Sequence, residues 1–228
     1  MRHASRVVLL SLLVCLLPAA PLLAAPLRGQ IRLPAEYPGR FITKAAGFWL
    51  LPNDVLDPQP PLVDRRTEMV VTLEGSEIVG ATLVKPVMRL EDARFVPPAL
   101  AVAPHAKVVI ENRDGVAHDL ESVGRASIAK QQLAVGASFT HVFDTPGSYP
   151  LRSTTRLHMH GTILVTGAPL FVQPDASGAF TFPEVRPGTY SLGVWYRDKW
   201  IHRQQITVKP GRATVEVQLK SLPGKDKD

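Results

Sequence analysis

The sequence predicts an all-β protein, and two of its features carry this prediction. Twenty-one prolines are spread along 228 residues, and each proline removes a backbone N–H and fixes φ at about −65°, which interrupts helices. Between the prolines, apolar residues alternate with polar ones, which is the period of a half-buried strand. No stretch repeats apolar residues at the spacing of an amphipathic helix. We therefore expect many short strands that pack as sandwiches.

Residues 1–25 are predicted to be a secretory signal peptide. Arg2 and Arg6 give a positively charged start, and residues 7–17 form an apolar run. This run is shorter than the roughly 20 residues that a membrane-spanning helix needs. Small residues mark a cleavage point after Ala25. No second apolar run of membrane length follows, so we expect an exported, periplasmic protein with no membrane span after signal removal.

Composition and charge restrict the chemistry. Cys15 is the single cysteine, and it lies in the signal peptide, so the mature chain has neither a disulfide nor a thiolate ligand. The net charge is +6, and the basic residues are scattered rather than clustered on a stripe with aromatics, so nucleic acid is not an expected partner. The chain has no glycine-rich phosphate loop and no Gly-x-Ser-x-Gly motif. Nothing here predicts an enzyme.

The mature chain is predicted to divide into three β segments and a short tail. Turn-forming residues between the alternating stretches set the boundaries. The predicted divisions are an N-terminal β segment (26–77), a central domain (78–166), a C-terminal β module (167–220) and a disordered tail (221–228).

In the N-terminal segment, strands are predicted at 29–33, 47–51 and 68–73. A proline-rich loop at 52–61 follows the second of these, and it is too rigid and too polar to belong to a core. The run at 47–51, Gly-Phe-Trp-Leu-Leu, is either core or a surface that docks a partner, since exposed Trp and Phe anchor interfaces.

The central domain carries a motif at two strand ends. Residues 108–114 read Val-Val-Ile-Glu-Asn-Arg-Asp and lead to His118, while residues 158–165 read His-Met-His-Gly-Thr-Ile-Leu-Val. This arrangement resembles the cupredoxins, the plastocyanin-like copper proteins. The resemblance implies a cupredoxin-like Greek-key sandwich, flanked here by the two small β-sandwich segments. It also implies that the strand of His118 and the strand that begins after residue 160 are neighbours.

The resemblance matches two of the four copper ligands of that family. In cupredoxins, one His follows an Asn-x-Asp strand end, and a Cys-x-x-His-x-x-Met loop precedes the last strand. His118 and Met159 stand at the first His and the Met positions. Ser153 stands at the Cys position and Arg156 at the second His position. A blue copper centre needs the thiolate, which Ser153 lacks, and a fixed guanidinium charge repels a cation.

The C-terminal module resembles the carboxypeptidase-regulatory, transthyretin-like β modules. Residues 175–182 read Asp-Ala-Ser-Gly-Ala-Phe-Thr-Phe and residues 185–192 read Val-Arg-Pro-Gly-Thr-Tyr-Ser-Leu. The pairs Ser177–Gly178 and Pro187–Gly188 are predicted to form tight turns. With Trp195 after the second motif, the order of segments resembles the periplasmic plastocyanin-like proteins named for methylamine utilisation.

Two histidines outside the family pattern extend the candidate metal site to His118, His158, Met159 and His160. In a strand, residues 158 and 160 share one face and residue 159 the other. One alternative is that His158 and His160 chelate a metal with His118 while Met159 points away. Another is that Met159 points inward with His118 and the two histidines point outward. In the third, the loop bends so that all four side chains converge. Imidazole and thioether donors suit copper, and imidazole also suits zinc.

The sequence therefore supports two functions. The first is copper binding at a non-blue site, for copper handling or for support of a periplasmic redox or copper-handling partner. The second is a metal-free, degenerate cupredoxin that acts as a structural or protein-interaction module of an envelope complex. We expect Arg156 to face solvent or to pair with Asp114 or Asp119. If Arg156 instead fills the space at the histidines, its charge favours the metal-free alternative.

Overall fold

The structure is a computed structural model that describes residues 24–34, 40–42, 62–78, 86–122, 128–156, 158–211 and 213–222. The predicted strand at 47–51, the proline-rich loop at 52–61, residues 1–23 of the predicted signal peptide and residues 223–228 of the tail lie outside these ranges. Within them, no helix has the length and apolar character needed to cross a membrane.

The described residues form eighteen strands and a 3₁₀ turn at Arg65–Glu68, with no α-helix among them, so the all-β prediction is confirmed. The strands are β1 (Ala25–Arg32), β2 (Arg40–Ile42), β3 (Leu62–Asp64), β4 (Met69–Glu74), β5 (Val87–Glu91), β6 (Arg94–Val96), β7 (Ala99–Val102), β8 (Ala106–Asn112), β9 (His118–Ser122), β10 (Gln131–Leu133), β11 (Ser138–Phe143), β12 (Gly147–Ser153), β13 (His160–Val165), β14 (Leu170–Val172), β15 (Ala179–Val185), β16 (Gly188–Tyr196), β17 (Lys199–Val208) and β18 (Ala213–Gln218).

Strands β5 to β13 form the central sandwich. One sheet has the order β10-β9-β12-β13-β7 and the other the order β11-β8-β5-β6. Strand β8 shows why these residues form a sheet facing a core: Val108, Ile110 and Asn112 are buried, while the residues between them are more exposed. That period of two places one apolar face inward. The core between the two sheets includes Leu90, Ile110 and Ile163.

The remaining strands, apart from the β2–β3 pair, form a second sandwich from both ends of the chain. Its sheets have the orders β15-β1-β18 and β14-β4-β16-β17. Strand β1 lies antiparallel to β15 and parallel to β18, so that Leu27 is opposite both Phe182 and Ala213. Leu27 and Ile31 are buried against the C-terminal residues. The predicted N-terminal segment and C-terminal module thus share two sheets and one core in space.

One residue of the predicted tail is part of a core. Leu222, in the tail predicted from residue 221, is buried in the core of the second sandwich. Its apolar side chain accounts for this burial.

Two glycines predicted in turns differ in their roles. Gly178 has a φ of 90°, in the left-handed region that favours glycine, as the predicted turn requires. Gly188 is not among the residues with positive φ. A side chain there would bring its Cβ to 2.9 Å from the Glu77 side chain, so close packing, and not a turn conformation, accounts for this glycine.

The two sandwiches are joined by a small apolar contact. Ala101 on β7 and Leu164 on β13 pack against Val70, Phe171 and Trp195 of the second sandwich, and all five are buried. The Gln173 side-chain amide also donates a hydrogen bond to the Ala99 carbonyl. Burial of the Trp195 ring at this contact gives the C-terminal motif a structural role.

Candidate functional site

The candidate site lies where three strands of the central sandwich meet. His118 begins β9, Ser153 ends β12, and Met159 directly precedes β13. Strand β12 pairs with both of the other strands, so these positions come to the same end of the sheet. The strand of His118 and the strand that begins at residue 160 were predicted to be neighbours. That prediction is wrong, because β12 lies between them.

Asn112 holds the loops around the site. Its side-chain amide donates to the carbonyls of Val116, Leu133 and Ala134 at 2.8, 3.0 and 3.1 Å. Its side-chain oxygen accepts a hydrogen bond from the backbone N–H of Asp114 at 2.9 Å. Asn112 is 1% exposed, so these bonds satisfy a buried amide and fix the start of the loop that carries Asp114.

His118 is fully buried and both of its ring nitrogens have partners. Nε2 lies 2.7 Å from Oδ2 of Asp114, and Nδ1 lies 3.2 Å from Nη1 of Arg156. A guanidinium has only donors, so Nδ1 must accept. Nε2 therefore carries the proton and donates it to Asp114. The imidazole is neutral and its one lone pair is directed at Arg156.

Asp114 is also engaged on its other side. Its carboxylate accepts a hydrogen bond from the backbone N–H of Ala93 at 3.1 Å. Asp92 and Ala93 both have a φ of 52°, the left-handed conformation of a two-residue hairpin turn between β5 and β6. The line of contacts therefore runs from this turn through the carboxylate and the imidazole to the guanidinium.

Ser153, at the position of the thiolate in the cupredoxin pattern, acts within its own loop. Its side chain is fully buried, and its hydroxyl accepts from the backbone N–H of Arg156 at 3.1 Å and bonds to Oγ1 of Thr155 at 3.2 Å. Serine and threonine hydroxyls commonly bond nearby backbone in this way. The Ser153 hydroxyl thus stabilises the turn between residues 153 and 156.

Of the arrangements open for Met159, the structure has the inward one. Met159 is 1% exposed and packs in the core of the central sandwich. Its backbone N–H donates to the Arg156 carbonyl at 2.9 Å, and its carbonyl accepts from the Ser153 N–H at 3.0 Å. The thioether is thus on the buried side, as His118 is.

His158 and His160 flank Met159 in sequence, and both are more exposed than it is. His160 is exposed and lies opposite Arg152 of β12. His158 is half-buried and is hydrogen-bonded to the Ala93 backbone. Burial, with a smaller effect of the Arg156 charge, lowers the pKa of His158. Neither histidine is therefore buried in the core with the thioether.

The position of Arg156 differs from the expectation that it faces solvent or pairs with Asp114 or Asp119. Its Nη1 contacts His118 and lies 3.5 Å from the Ala117 carbonyl. The sequence identified this residue as decisive but could not specify the direction of a long, flexible side chain. Sequence reasoning missed the Ala93 backbone N–H as a support of Asp114, because a contact between the β5–β6 turn and the loop after β8 leaves no signal in the sequence.

The donors present do not fit a copper ion while Arg156 holds this position. The available imidazole lone pair is used, the serine hydroxyl is a weak neutral ligand, and a fixed positive charge lies where the ion would bind. Among the residues that the structure describes, no three histidine, cysteine or acidic side chains are grouped so that they could hold a metal ion.

Comparisons with known proteins give one partial family match. Residues 166–216, in the C-terminal module, match the model for polysaccharide lyase family 4, domain II. No curated protein matches the chain.

Several solved structures are similar to part of the chain. A Cu(I) form of an amicyanin mutant is 19% identical over 42% of this chain and 98% of its own, with a TM-score of 0.34. A purple cupredoxin from Nitrosopumilus maritimus is 20% identical over 35% of this chain and 98% of its own, with a TM-score of 0.32. A copper-containing nitrite reductase from Thermus scotoductus SA-01 is 22% identical over 39% of this chain and 24% of its own, with a TM-score of 0.34.

Proposed function

We propose that this chain is an exported, metal-free cupredoxin-like protein whose role is structural or protein-binding, as a module of an envelope complex. The observation that supports this proposal is the 3.2 Å contact between Arg156 Nη1 and His118 Nδ1. A metal ion and the guanidinium need the same lone pair, so the two cannot bind together.

Charge supports the same proposal. The carboxylate of Asp114 and the guanidinium of Arg156 lie on opposite sides of a neutral imidazole, so the three groups together carry no net charge. Adding a divalent cation beside Arg156 would introduce repulsion in a poorly solvated place, where charges interact more strongly than in water. The ion would first have to displace the guanidinium.

Export is proposed on the basis of residues 1–25. A charged start, a short apolar run and small residues before the cleavage point are typical of a secretory signal. The module would then act in the periplasm.

Copper handling is a second candidate, with His118, His158, Met159 and His160 as ligands and a periplasmic redox or copper-handling protein as partner. Two observations favour it. Met159 is turned inward, and His158 is hydrogen-bonded to the backbone of Ala93, the residue whose N–H also bonds the Asp114 carboxylate beside His118. This function requires the Arg156 side chain to swing into solvent, and without a thiolate the copper would not be of the blue type.

Isothermal titration of the mature chain with Cu(I), Cu(II) and Zn(II) tests the proposal. We expect no stoichiometric binding that depends on His118. The test variant is His118→Gln, and the control is His105→Gln, which alters an exposed histidine paired with Asp144. One-to-one binding that is lost in the first variant and kept in the second would support copper handling and refute the metal-free role.

A further inference from the structure

The backbone of residue 156 is fixed on both sides. Its N–H donates to the Ser153 hydroxyl at 3.1 Å, and its carbonyl accepts from the Met159 N–H at 2.9 Å. Ser153 and Met159 are themselves joined by a backbone hydrogen bond of 3.0 Å. The loop thus presents the Arg156 side chain from a closed turn, and the guanidinium reaches β9 from there.

The order of groups around His118 is that of a histidine bound to a metal. Histidine ligands in proteins commonly donate their second ring N–H to a carboxylate, which fixes the tautomer and directs the remaining lone pair at the metal. Here Asp114 receives the Nε2 proton at 2.7 Å, and the lone pair on Nδ1 is directed at Arg156. The guanidinium therefore occupies the position that the metal ion has in a carboxylate–histidine–metal arrangement.

We infer that the Arg156 guanidinium is the resident cation of this site. It joins the loop at 153–159 to β9, as a bound metal ion would, and its removal opens a site for a copper or zinc ion with His118 as the first ligand. This inference rests on the proposed function, and it adds a specific role for one side chain.

The test compares three versions of the full mature chain by thermal unfolding, with and without added Cu(II) or Zn(II). Arg156→Ala leaves the buried Nδ1 without a partner, so we expect its Tm to be lower by about 3–9 °C. The matched control is Arg152→Ala, which removes an exposed ion pair with Glu121 at 2.6 Å and should lower the Tm by less than about 3 °C. Either metal should raise the Tm of Arg156→Ala and leave the unaltered chain and the control unchanged.

Nitrogen NMR of the unaltered chain gives a second readout. The inferred tautomer predicts a protonated Nε2 and an unprotonated, hydrogen-bonded Nδ1 on His118. The double variant Arg156→Ala, His118→Gln should lose the response to metal. If Arg156→Ala does not fold, Arg156→Ser, which also removes the charge and is too short to occupy the place of the guanidinium, takes its place in every measurement.

The outcomes separate the inference from the proposed function. Metal binding by the unaltered chain through His118 would refute the metal-free role, whatever the variants do. The inference itself is overturned if Arg156→Ala is as stable as the control, if no metal stabilises it, or if the NMR spectrum shows a protonated Nδ1.

Discussion

At the scale of single residues, the site depends on buried polar side chains that are hydrogen-bonded to other groups of the protein. Asn112 satisfies three carbonyls and positions Asp114, and Asp114 in turn fixes the tautomer of His118. A buried polar network of this kind is stable only when every member has a partner. A change at one member should therefore cost more than the loss of a single hydrogen bond.

Replacing Asn112 by Asp tests this dependence. The substitution keeps the shape of the side chain but puts a carboxylate oxygen against three carbonyls, so the free energy of unfolding should fall by about 2–4 kcal/mol. Urea denaturation measures the change. The control is Gln131→Glu, the same amide-to-acid change at an exposed position of β10, and it should have little effect. Equal stability of the two variants would contradict the role assigned to Asn112.

The sequence indicated part of this site. The Asn-x-Asp strand end and the residues before β13 located His118, Met159, Ser153 and Arg156 at one end of the sandwich. It could not indicate which group fills the Nδ1 position, because an arginine side chain has many rotamers, and the choice among them depends on tertiary contacts. The four proposed metal ligands stay a prediction.

At the scale of elements, the turn before β15 is the clearest case of sequence specifying conformation. The Asp175 carboxylate accepts hydrogen bonds from the Ser177 hydroxyl at 2.6 Å, the Ser177 N–H at 2.8 Å and the Ala179 N–H at 3.0 Å. With Gly178 in the left-handed region, these bonds define the turn. An aspartate whose carboxylate accepts from the backbone N–H two residues later, here that of Ser177, is a usual sequence signal for such a turn.

The same turn predicts a pH dependence. The Ser177 hydroxyl, with smaller effects of nearby backbone N–H groups, lowers the pKa of Asp175. Its stabilising contribution is therefore present above the pKa of about 3.9 in the unfolded chain and is lost as pH falls through the lower folded value. Urea denaturation between pH 5 and about pH 2.5 should show a smaller loss of stability on acidification for Asp175→Asn than for the unaltered chain. An unchanged slope would contradict this assignment, and Asp198→Asn, in another turn, serves as the control.

The placement of β1 was not predictable from the sequence. The predicted strand at 29–33 overlaps β1, which begins earlier, at Ala25, and buries both Leu27 and Ile31. Alternation does not specify a partner, however, and pairing between residues that are distant in sequence depends on the whole core. In the sequence, all strands of the central sandwich lie between β1 and its partners β15 and β18.

At the scale of the whole molecule, the central sandwich is inserted into the second one. The chain leaves the second sandwich after β4 and returns at β14, and these two strands are paired with Leu73 opposite Leu170. The exit and the entry are therefore adjacent. The two cores are separate except for the contact around Trp195. This arrangement is typical of an inserted domain, whose ends lie close together.

Excision of the central sandwich tests this arrangement. Replacing residues 79–167 with a short Gly/Ser linker should leave a protein that keeps its strand content and unfolds cooperatively. Its Tm should be lower than that of the full chain, since Val70, Phe171 and Trp195 lose their cover. Circular dichroism with thermal melting measures both properties. A matched variant with the same deletion and Leu27→Asp should not fold, and a non-cooperative melt of the first would contradict two separate cores.

The pairing of β1 with β18 also sets the order in which the molecule is completed during synthesis. Strand β1 ends at Arg32 and its parallel partner begins at Ala213, so at 5–20 residues per second roughly 10–40 s separate their synthesis. For most of that interval Leu27 and Ile31 have no sheet to enter, because β15, the antiparallel partner of β1, begins only at Ala179. The nascent chain therefore carries an apolar strand near its start whose first partner is made after every strand of the central sandwich.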